Sequence, residues 1–190
     1  MTAVLFVCTG NICRSPTAAA LLTSRLASRD ERVTVASAGT LDLDQPSPEE
    51  VIAAAAELGA DVTAHQSHRF TQGDLVASDL IIGMAREHVR EIVLASPPVW
   101  PRTFTLLELI RRGHAVGRRG RLETLSDWLA RVHEGRRHAD LLGNSDQDDI
   151  PDPMGGSPSE YRASAKRIAG LVDELVALAW PLGDLESNPQ

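Results

Sequence analysis

Short apolar runs alternate with amphipathic segments along most of the chain, which is the pattern of strands alternating with helices. The apolar runs at 3–7, 32–37 and 78–84 predict buried strands, and a fourth, short strand is expected at 97–101. Strands separated by helices favour an α/β fold with a parallel sheet that is covered by helices on both faces.

Helical segments are predicted at 16–28, 48–58 and 87–94, and the longest helix is predicted near the C-terminal end. The first helix is expected to begin at Pro16 after a cap at Ser15, because proline suits the first helical position. The longest helix opens with Ser157 and Glu160, which have the spacing of a capping box. The residues expected to face the core then repeat at helical spacing: Tyr161, Ala165, Ile168, Val172, Leu175 and Ala179. Residues 182–190 are expected to form a frayed tail.

Residues 111–149 depart from this alternation, because the segment begins with a cluster of arginines and ends with a cluster of aspartates. Between them, an amphipathic helix is predicted by Leu122, Leu125, Trp128, Leu129 and Val132. A solvated basic face is the ordinary interpretation of such a charge run, and a docking surface for an acidic partner is the alternative. We expect one domain over 1–190 with a basic helical insertion at about 111–149.

Composition and charge narrow the classes of function. With 190 residues and 43% hydrophobic content, the chain can bury one core. A net charge of −7 argues against general binding to nucleic acid or to anionic membranes. The chain lacks an apolar stretch of about 18 residues and shows no signal-peptide pattern, so a soluble cytoplasmic protein is expected. Cys8 and Cys13 would be reduced there, and their closeness indicates a chemical role.

A phosphate site is predicted where the first strand ends at Cys8 and a helix begins near Arg14. Such a turn directs backbone N–H groups and the positive end of a helix dipole into one concavity. Gly10 and Asn11 tolerate the left-handed backbone that the turn needs, and arginine is a planar, two-pronged phosphate ligand. A thiol in this field favours the thiolate, to which Ser15 could donate. The loop therefore predicts a nucleophile that attacks phosphorus; the alternative is a buried cysteine beside an exposed arginine.

The same chemistry needs a proton donor for the departing oxygen, and Asp152 is the best candidate. Pro153 disfavours a helical conformation at Asp152, and Gly155 and Gly156 keep the following turn open. An aspartate before proline is also a common turn former. Three other aspartates are rivals for this role: Asp146, Asp148 and Asp149.

The stretch VCTGNICRSP at 7–16 resembles the phosphate-binding loop of the low-molecular-weight protein tyrosine phosphatases. In that family a cysteine, five residues, an arginine and a serine or threonine follow one another near the N-terminus. Further similar segments follow in the family's order: SAGT at 37–40, HQSHR at 65–69, DLIIGM at 79–84 and DIPDPMGG at 149–156. The resemblance covers most of the chain outside 111–149.

The resemblance implies a four-stranded parallel sheet flanked by helices, and a phosphatase that works through a phosphocysteine without a metal or an organic cofactor. It implies that Cys8 is the nucleophile, that Asp152 is the general acid, and that Asn11 and Ser37 shape the loop. The implied phosphate-binding residues, of which Arg14 and Ser15 also assist the thiolate, are Thr9, Gly10, Asn11, Ile12, Cys13, Arg14 and Ser15.

Departures from the family pattern concern the substrate. Met154 stands where the family often has an aromatic residue, and Leu41 and Leu43 follow the SAGT segment without an aromatic. Ile12 is typical of the tyrosine phosphatases, because the family's arginine phosphatases have threonine there. We expect phosphotyrosine proteins as substrates. Phosphoarginine or small phosphomonoesters are the alternatives, followed by a non-catalytic phosphoprotein-binding module. A thioredoxin-coupled arsenate reductase would need further cysteines.

Two smaller predictions concern the histidines and the second cysteine. His65 and His68 lie close together, but no further ligand completes a metal set, so we expect them to satisfy backbone groups of loops. Cys13 is expected to form a disulfide with oxidised Cys8, and the alternative is that Cys13 is only a small buried residue.

Overall fold

The computed structural model describes residues 1–27, 29 and 32–181, and the structural statements below concern this part of the chain. The expected helix end at Ser28 and the expected tail at 182–190 lie outside it. The strands are β1 (Thr2–Cys8), β2 (Val33–Gly39), β3 (Leu80–Gly83) and β4 (Thr103–Thr105). The α-helices are α1 (Arg14–Leu26), α2 (Glu49–Ala56), α3 (Gln72–Ala77), α4 (Arg86–Ala95), α5 (Leu106–Val116), α6 (Leu125–His133) and α7 (Pro158–Ala179). Short 3₁₀ helices lie at Pro97–Arg102 and His138–Leu141.

The four strands form one parallel sheet in the order β2-β1-β3-β4. Strand β1 therefore lies in the interior of the sheet, and it pairs Cys8 with Gly39 of β2 and Val7 with Gly83 of β3. The carboxyl ends of these three strands consequently meet at one edge, which is where parallel sheets commonly bind ligands.

Both faces of the sheet are buried, as a parallel sheet requires. Val4 and Phe6 of β1 point to the face that packs against α1, α5 and α7, whereas Leu5 and Val7 point to the face covered by α3 and α4. Successive residues of a strand face opposite sides, so each apolar run contributes to both layers. The predicted α/β architecture, a four-stranded parallel sheet flanked by helices, is confirmed.

Helix α7 has 22 residues and agrees with its prediction. The backbone N–H of Ser157 donates to the Glu160 carboxylate over 2.6 Å, which closes the predicted capping box. All six positions expected to face the core are buried. Neither α7 nor any other helix among the described residues is long and apolar enough to cross a membrane.

The predicted place of the fourth strand and the predicted start of the first helix are wrong. The fourth strand is β4 at Thr103–Thr105, and the predicted 97–101 segment lies in a 3₁₀ helix instead. The fourth strand lies at the edge of the sheet, where a single proline is tolerated. Successive residues point their N–H groups to opposite sides of a strand, so either Pro97 or Pro98 would lack the donor that pairing with β3 needs. Helix α1 begins at Arg14 after an N-cap at Cys13, two residues earlier than predicted, and Ser15 is therefore not the cap. Pro16 is tolerated because N–H groups of a first turn have no helical partner.

The segment at 111–149 contains the end of α5 and the predicted amphipathic helix, which is α6. Trp128 of α6 is fully buried, but the side chain of Leu122 is 97% exposed and precedes the helix, so its predicted place on the apolar face is wrong. Several arginines of the segment bind groups within the protein: Arg111 to Asp148, Arg112 to the carbonyl of Val132, Arg131 to Glu123 and Arg136 to Glu108.

Candidate active site

The loop between β1 and α1 runs over the carboxyl edge of the sheet and closes into a tight turn. Asn11 has a φ of 53°, the left-handed conformation that its residue type predicted. The loop also lies very close to the end of β2. A Cβ atom on Gly39 would lie 2.9 Å from the Thr9 carbonyl oxygen and 3.1 Å from the Asn11 Cβ. Glycine at this position therefore allows the loop to pack against the sheet.

Two polar groups contact the Cys8 sulfur at the floor of this loop. The backbone N–H of Asn11 donates to Cys8 Sγ over 3.2 Å, and the Ser15 hydroxyl lies 3.0 Å from the same sulfur. Asn11 Nδ2 donates to Ser15 Oγ over 3.0 Å. The single hydroxyl hydrogen of Ser15 can then go either to Cys8 Sγ or to the carbonyl oxygen of Ala38, which lies 3.4 Å away. The Cys8 sulfur is therefore held at the floor of the loop by contacts with a backbone N–H and a hydroxyl.

The side chain and carbonyl of Asn11 are fully bonded to neighbouring segments. Asn11 Nδ2 donates to Ser37 Oγ over 2.9 Å, and Asn11 Oδ1 accepts from the backbone N–H of His68 over 3.2 Å. The carbonyl oxygen of Asn11 lies 2.6 Å from His65 Nε2, which must donate because a carbonyl only accepts. These bonds hold the left-handed turn in place, and they bring Ser37 to the loop as predicted.

His65 thus satisfies a backbone group of the loop, which confirms its predicted structural role. Burial lowers the pKa of His65, so the neutral imidazole is its ordinary form near neutral pH. His68 differs, because its contact with the loop is made by its backbone N–H. Among the described residues, no group of three or more histidine, cysteine, aspartate or glutamate side chains is arranged to hold a metal ion.

Arg14 extends from the first turn of α1 toward the mouth of the loop. One terminal nitrogen donates to the carbonyl of Ile150 over 3.1 Å, and the other binds the carboxylate of Asp152. The Arg14 side chain is only 4% exposed, and its buried Nε has no hydrogen-bond partner among the residues that the structure describes. An unpaired donor in a buried site is costly, and a phosphate oxygen is the kind of acceptor that it suits.

The segment that contains Asp152 is anchored on both α4 and the sheet edge. The Ile150 N–H donates to the carbonyl of Met84 over 2.8 Å. Asp149 accepts from the backbone N–H of Arg86 over 2.7 Å, and Asp148 binds the side chains of Arg86 and Arg111. Asp148 and Asp149 are therefore used in holding the segment.

The ionisation of Asp148 agrees with this anchoring role. Burial of the carboxyl opposes its ionisation, but hydrogen bonds from Arg111 and Arg86, together with their charges, hold the pKa of Asp148 below its ordinary value. Asp152 is the aspartate that reaches the loop of Cys8, and it also accepts from the Met154 N–H over 3.1 Å. The structure thus brings together the predicted set Cys8, Arg14, Ser15 and Asp152.

Apolar side chains line the mouth of the loop. Leu43 approaches closely, since a Cβ on Gly10 would lie 3.2 Å from Leu43 Cδ1 and 3.4 Å from Ile12 Cγ1. Leu41 and Met154 are about half exposed, at 48% and 49%, whereas Ile12 is buried. The mouth therefore offers a hydrophobic wall beside the phosphate loop, without an aromatic side chain from these positions.

Cys13 lies under this wall rather than in the concavity. Its thiol donates to Met154 Sδ over 3.1 Å. Burial, followed by the nearby charges of Asp152 and Cys8, raises the pKa of the Cys13 thiol to about 12. Cys13 is consequently a neutral thiol near neutral pH, in contrast to the donor-rich setting of Cys8.

One residue at the site was not predicted from the sequence. His88 Nε2 lies 3.0 Å from the hydroxyl of Thr9 in the loop, although 79 positions separate the two residues. No local motif marks this histidine. The sheet topology could have indicated it, because His88 follows β3, and the carboxyl end of β3 lies beside that of β1 at the same edge of the sheet.

Comparison with known proteins agrees with this geometry. Residues 3–115 match the family described as "Low molecular weight phosphotyrosine protein phosphatase". The probable low molecular weight protein-tyrosine-phosphatase EpsP of Ralstonia solanacearum is 32% identical over 133 residues, which cover 70% of this chain and 89% of the relative.

Two solved structures resemble the fold over most of both chains. The low molecular weight protein tyrosine phosphatase of T. tengcongensis is 26% identical with a TM-score of 0.68, and the match covers 93% of this chain and 98% of that one. The YwlE arginine phosphatase of Geobacillus stearothermophilus is 27% identical with a TM-score of 0.68, and the match covers 92% of this chain and 90% of that one. The chain belongs to the low molecular weight phosphotyrosine protein phosphatase family.

Proposed function

We propose that the protein hydrolyses phosphotyrosine in proteins, with Cys8 as the nucleophile and Asp152 as the general acid. One observation supports this proposal most strongly: the Cys8 sulfur accepts a hydrogen bond from the Asn11 N–H and lies beside the Ser15 hydroxyl, at the floor of a loop whose mouth holds the Arg14–Asp152 ion pair. A thiolate, a phosphate ligand and a proton donor thus share one concavity. These are the three groups that two-step phosphoryl transfer through cysteine needs.

In the first step the Cys8 thiolate attacks phosphorus, a sulfur–phosphorus bond forms, and the bond from phosphorus to the tyrosine oxygen breaks. Asp152 gives its proton to that oxygen. Arg14 and the backbone N–H groups of the loop hold the three remaining oxygens, on which the charge of the transition state is spread. Ser15 stabilises the thiolate before attack through its hydrogen bond to sulfur.

In the second step the Asp152 carboxylate takes a proton from water, and the water oxygen attacks phosphorus. The sulfur–phosphorus bond breaks, inorganic phosphate leaves, and the Cys8 thiolate is restored. This sequence returns every group to its starting state and needs no metal or organic cofactor.

The Arg14–Asp152 contact defines how substrate enters. A phosphate group bound at Arg14 would take the place of the Asp152 carboxylate and would supply an acceptor for the unpaired Nε. The displaced Asp152 carboxyl would then lie beside the bound phosphoryl group, where the first step needs a proton donor.

The mouth supports a phenol ring as the leaving group. Ile12, Leu43 and Met154 offer apolar contact, and they offer no charged side chain to a guanidino group. Phosphoarginine is the second candidate, because one of the similar solved structures is an arginine phosphatase. A small phosphomonoester would fit the loop without using the wall, and a non-catalytic phosphoprotein-binding module would not need Asp152.

Two further expectations belong to this proposal. An active thiolate needs a reducing compartment, so we place the protein in the cytoplasm. An acidic partner at 111–149 stays a prediction, and the pairing of Arg111, Arg131 and Arg136 with carboxylates of the protein itself reduces the charge available for it.

The decisive experiment compares matched peptides with phosphotyrosine, phosphoarginine or phosphoserine in the presence of a metal chelator. We expect the phosphotyrosine peptide to be hydrolysed fastest and the chelator to have no effect. Faster release from phosphoarginine would overturn the substrate assignment. Loss of all activity with the chelator would overturn the metal-free mechanism.

A further inference from the structure

His88 is a fully buried histidine that the proposed reaction does not use. It lies in the first turn of α4, directly beyond the end of β3. Gly83 makes this position possible, because a Cβ on Gly83 would lie 3.2 Å from the His88 Cβ and 3.0 Å from Val89 Cγ2. The close packing of α4 on the sheet end directs the imidazole toward the phosphate loop.

The contacts of His88 connect it to Arg14 through one hydroxyl. His88 Nε2 lies 3.0 Å from Thr9 Oγ1, and an Arg14 terminal nitrogen donates to the same oxygen at the long limit of 3.5 Å. Glu87 has a carboxylate oxygen 3.5 Å from His88 Nε2 but is half exposed. On the other side of the ring, the buried Nδ1 has no hydrogen-bond partner within the described part of the chain.

His88 is neutral in this environment. Burial, followed by the positive charges of Arg14 and Arg90, lowers the pKa of His88 to about 3. A neutral imidazole carries a hydrogen on one nitrogen only. A buried N–H without an acceptor is rarer in proteins than an under-used acceptor, so the hydrogen belongs on Nε2 and the unpaired Nδ1 is an acceptor.

This tautomer decides what the Thr9 hydroxyl can do. If His88 Nε2–H and Arg14 both donate to Thr9 Oγ1, the oxygen has used its two acceptor positions. The hydroxyl hydrogen of Thr9 is then left for another acceptor, and a phosphate oxygen bound by Arg14 is the nearest one that the reaction supplies.

We propose that His88 is a positioning residue of the phosphate site: its Nε2–H holds the Thr9 hydroxyl beside Arg14 and turns the Thr9 hydrogen toward the bound phosphoryl group. The proposal rests on the proposed function, because it assumes that the loop binds a phosphoryl group. His88 acts through Thr9 and does not itself touch the substrate.

Substitutions of matched polarity test this role. Glutamine places an amide near the position of Nε2, whereas asparagine places one near Nδ1 and falls short of Thr9. We expect His88→Asn to lower kcat/KM for an aryl phosphate and to weaken inhibition by inorganic phosphate, each about tenfold, the loss expected for one buried hydrogen bond. His88→Gln should stay within about threefold of wild type. Glu91→Gln, at an exposed residue of the same helix, is the control and should change neither constant.

Thr9→Val supplies the second half of the test. If His88 acts through Thr9, then His88→Asn added to Thr9→Val should cause no further loss, because the two residues share one interaction. Losses that multiply in the double variant would overturn the proposal. A second result would also overturn it: His88→Asn and His88→Gln lose the same activity and show the same drop in melting temperature. That pattern indicates a purely structural role for His88.

A measurement without turnover separates this proposal from the proposed function. Nitrogen NMR of histidine-labelled wild-type protein should show His88 as a neutral ring with its hydrogen on Nε2. A hydrogen on Nδ1 would overturn the proposal even if the enzyme is an active phosphatase. An inactive wild-type protein would instead overturn the proposed function.

Discussion

In the free protein the Arg14 guanidinium binds the carboxylate of Asp152. The residue proposed to bind phosphate is thus paired with the residue proposed to act as the acid. The two side chains differ in freedom, since 4% of the Arg14 side chain and 42% of the Asp152 side chain are exposed. Arg14 is also held by the carbonyl of Ile150. An incoming anion should therefore displace Asp152 and leave Arg14 in place.

This relationship predicts that Asp152→Ala binds inorganic phosphate more tightly than wild type. The variant removes an anion that competes with phosphate for Arg14. Because a partly exposed ion pair is weak, we expect the affinity for phosphate to rise only about two- to fivefold. The inhibition constant of phosphate, or its dissociation constant by calorimetry, measures the effect. Asp146→Ala, in an exposed residue of the same acidic segment, is the control and should match wild type. Weaker phosphate binding by Asp152→Ala would contradict the displacement.

Asp152→Ala should also change the dependence of the rate on the leaving group. A poor leaving group such as phenol needs a proton as its bond breaks, whereas nitrophenolate leaves readily without one. We expect a loss of about 10²- to 10³-fold on phenyl phosphate and a much smaller loss on nitrophenyl phosphate. Single-turnover rates for both substrates measure this difference. Equal losses on both would mean that Asp152 is not the acid.

The strong predictions from the sequence are those in which several local signals agree. The loop at Cys8 follows a strand end and precedes a helix that begins with an arginine, as predicted. Of the two residues expected to tolerate a left-handed backbone, Asn11 adopts it and Gly10 does not. Helix α7 likewise combines a capping box with regular apolar spacing. Each of these features is set by residues that are close in sequence.

The errors in the sequence predictions arise where contacts between distant parts of the chain determine the structure. Strand β4 has three residues and pairs only because β3 lies beside it, whereas the prolines before it form a 3₁₀ helix. Leu122 matches the apolar spacing of α6 but lies before the helix begins. His88 reaches Thr9 through the pairing of β3 with β1, which no local pattern shows.

We expect the side chain at position 12 to determine whether the enzyme prefers phosphotyrosine or phosphoarginine. Its buried side chain fills the loop beside Leu43 and offers no acceptor to guanidino N–H groups, which lose water on binding. Ile12→Thr should raise the ratio of kcat/KM for phosphoarginine to that for phosphotyrosine by about tenfold, because threonine adds a hydroxyl and frees space. Val76→Thr makes the same kind of change at an exposed site on α3 and should leave the ratio unchanged. An unchanged ratio in Ile12→Thr would remove Ile12 from the specificity determinants.

The raised pKa of Cys13 leads us to expect that formation of a Cys8–Cys13 disulfide after peroxide treatment depends on pH. Because that pKa is raised to about 12, few Cys13 thiols are ionised at pH 7. The ionised fraction rises about tenfold for each unit by which the pH is raised, and the thiolate is the form that attacks oxidised Cys8. After peroxide treatment, the share of Cys8–Cys13 disulfide relative to Cys8 sulfonic acid should therefore rise from pH 7 to pH 9. Mass spectrometry of the linked peptide measures this share. In Cys13→Ser, dithiothreitol should fail to restore activity. A complete absence of linked peptide at every pH would show that Cys13 is only a buried core residue.

The most direct measurement is rapid quenching of wild-type protein during turnover of a phosphotyrosine peptide, followed by mapping of the phosphorylated residue. We expect the phosphoryl group on Cys8, because its sulfur is the nucleophile that the loop surrounds with donors. Cys8→Ser should give no turnover while still binding inorganic phosphate through Arg14 and the loop N–H groups. Substantial turnover by Cys8→Ser, or a phosphoryl group on a residue other than Cys8, would contradict the mechanism.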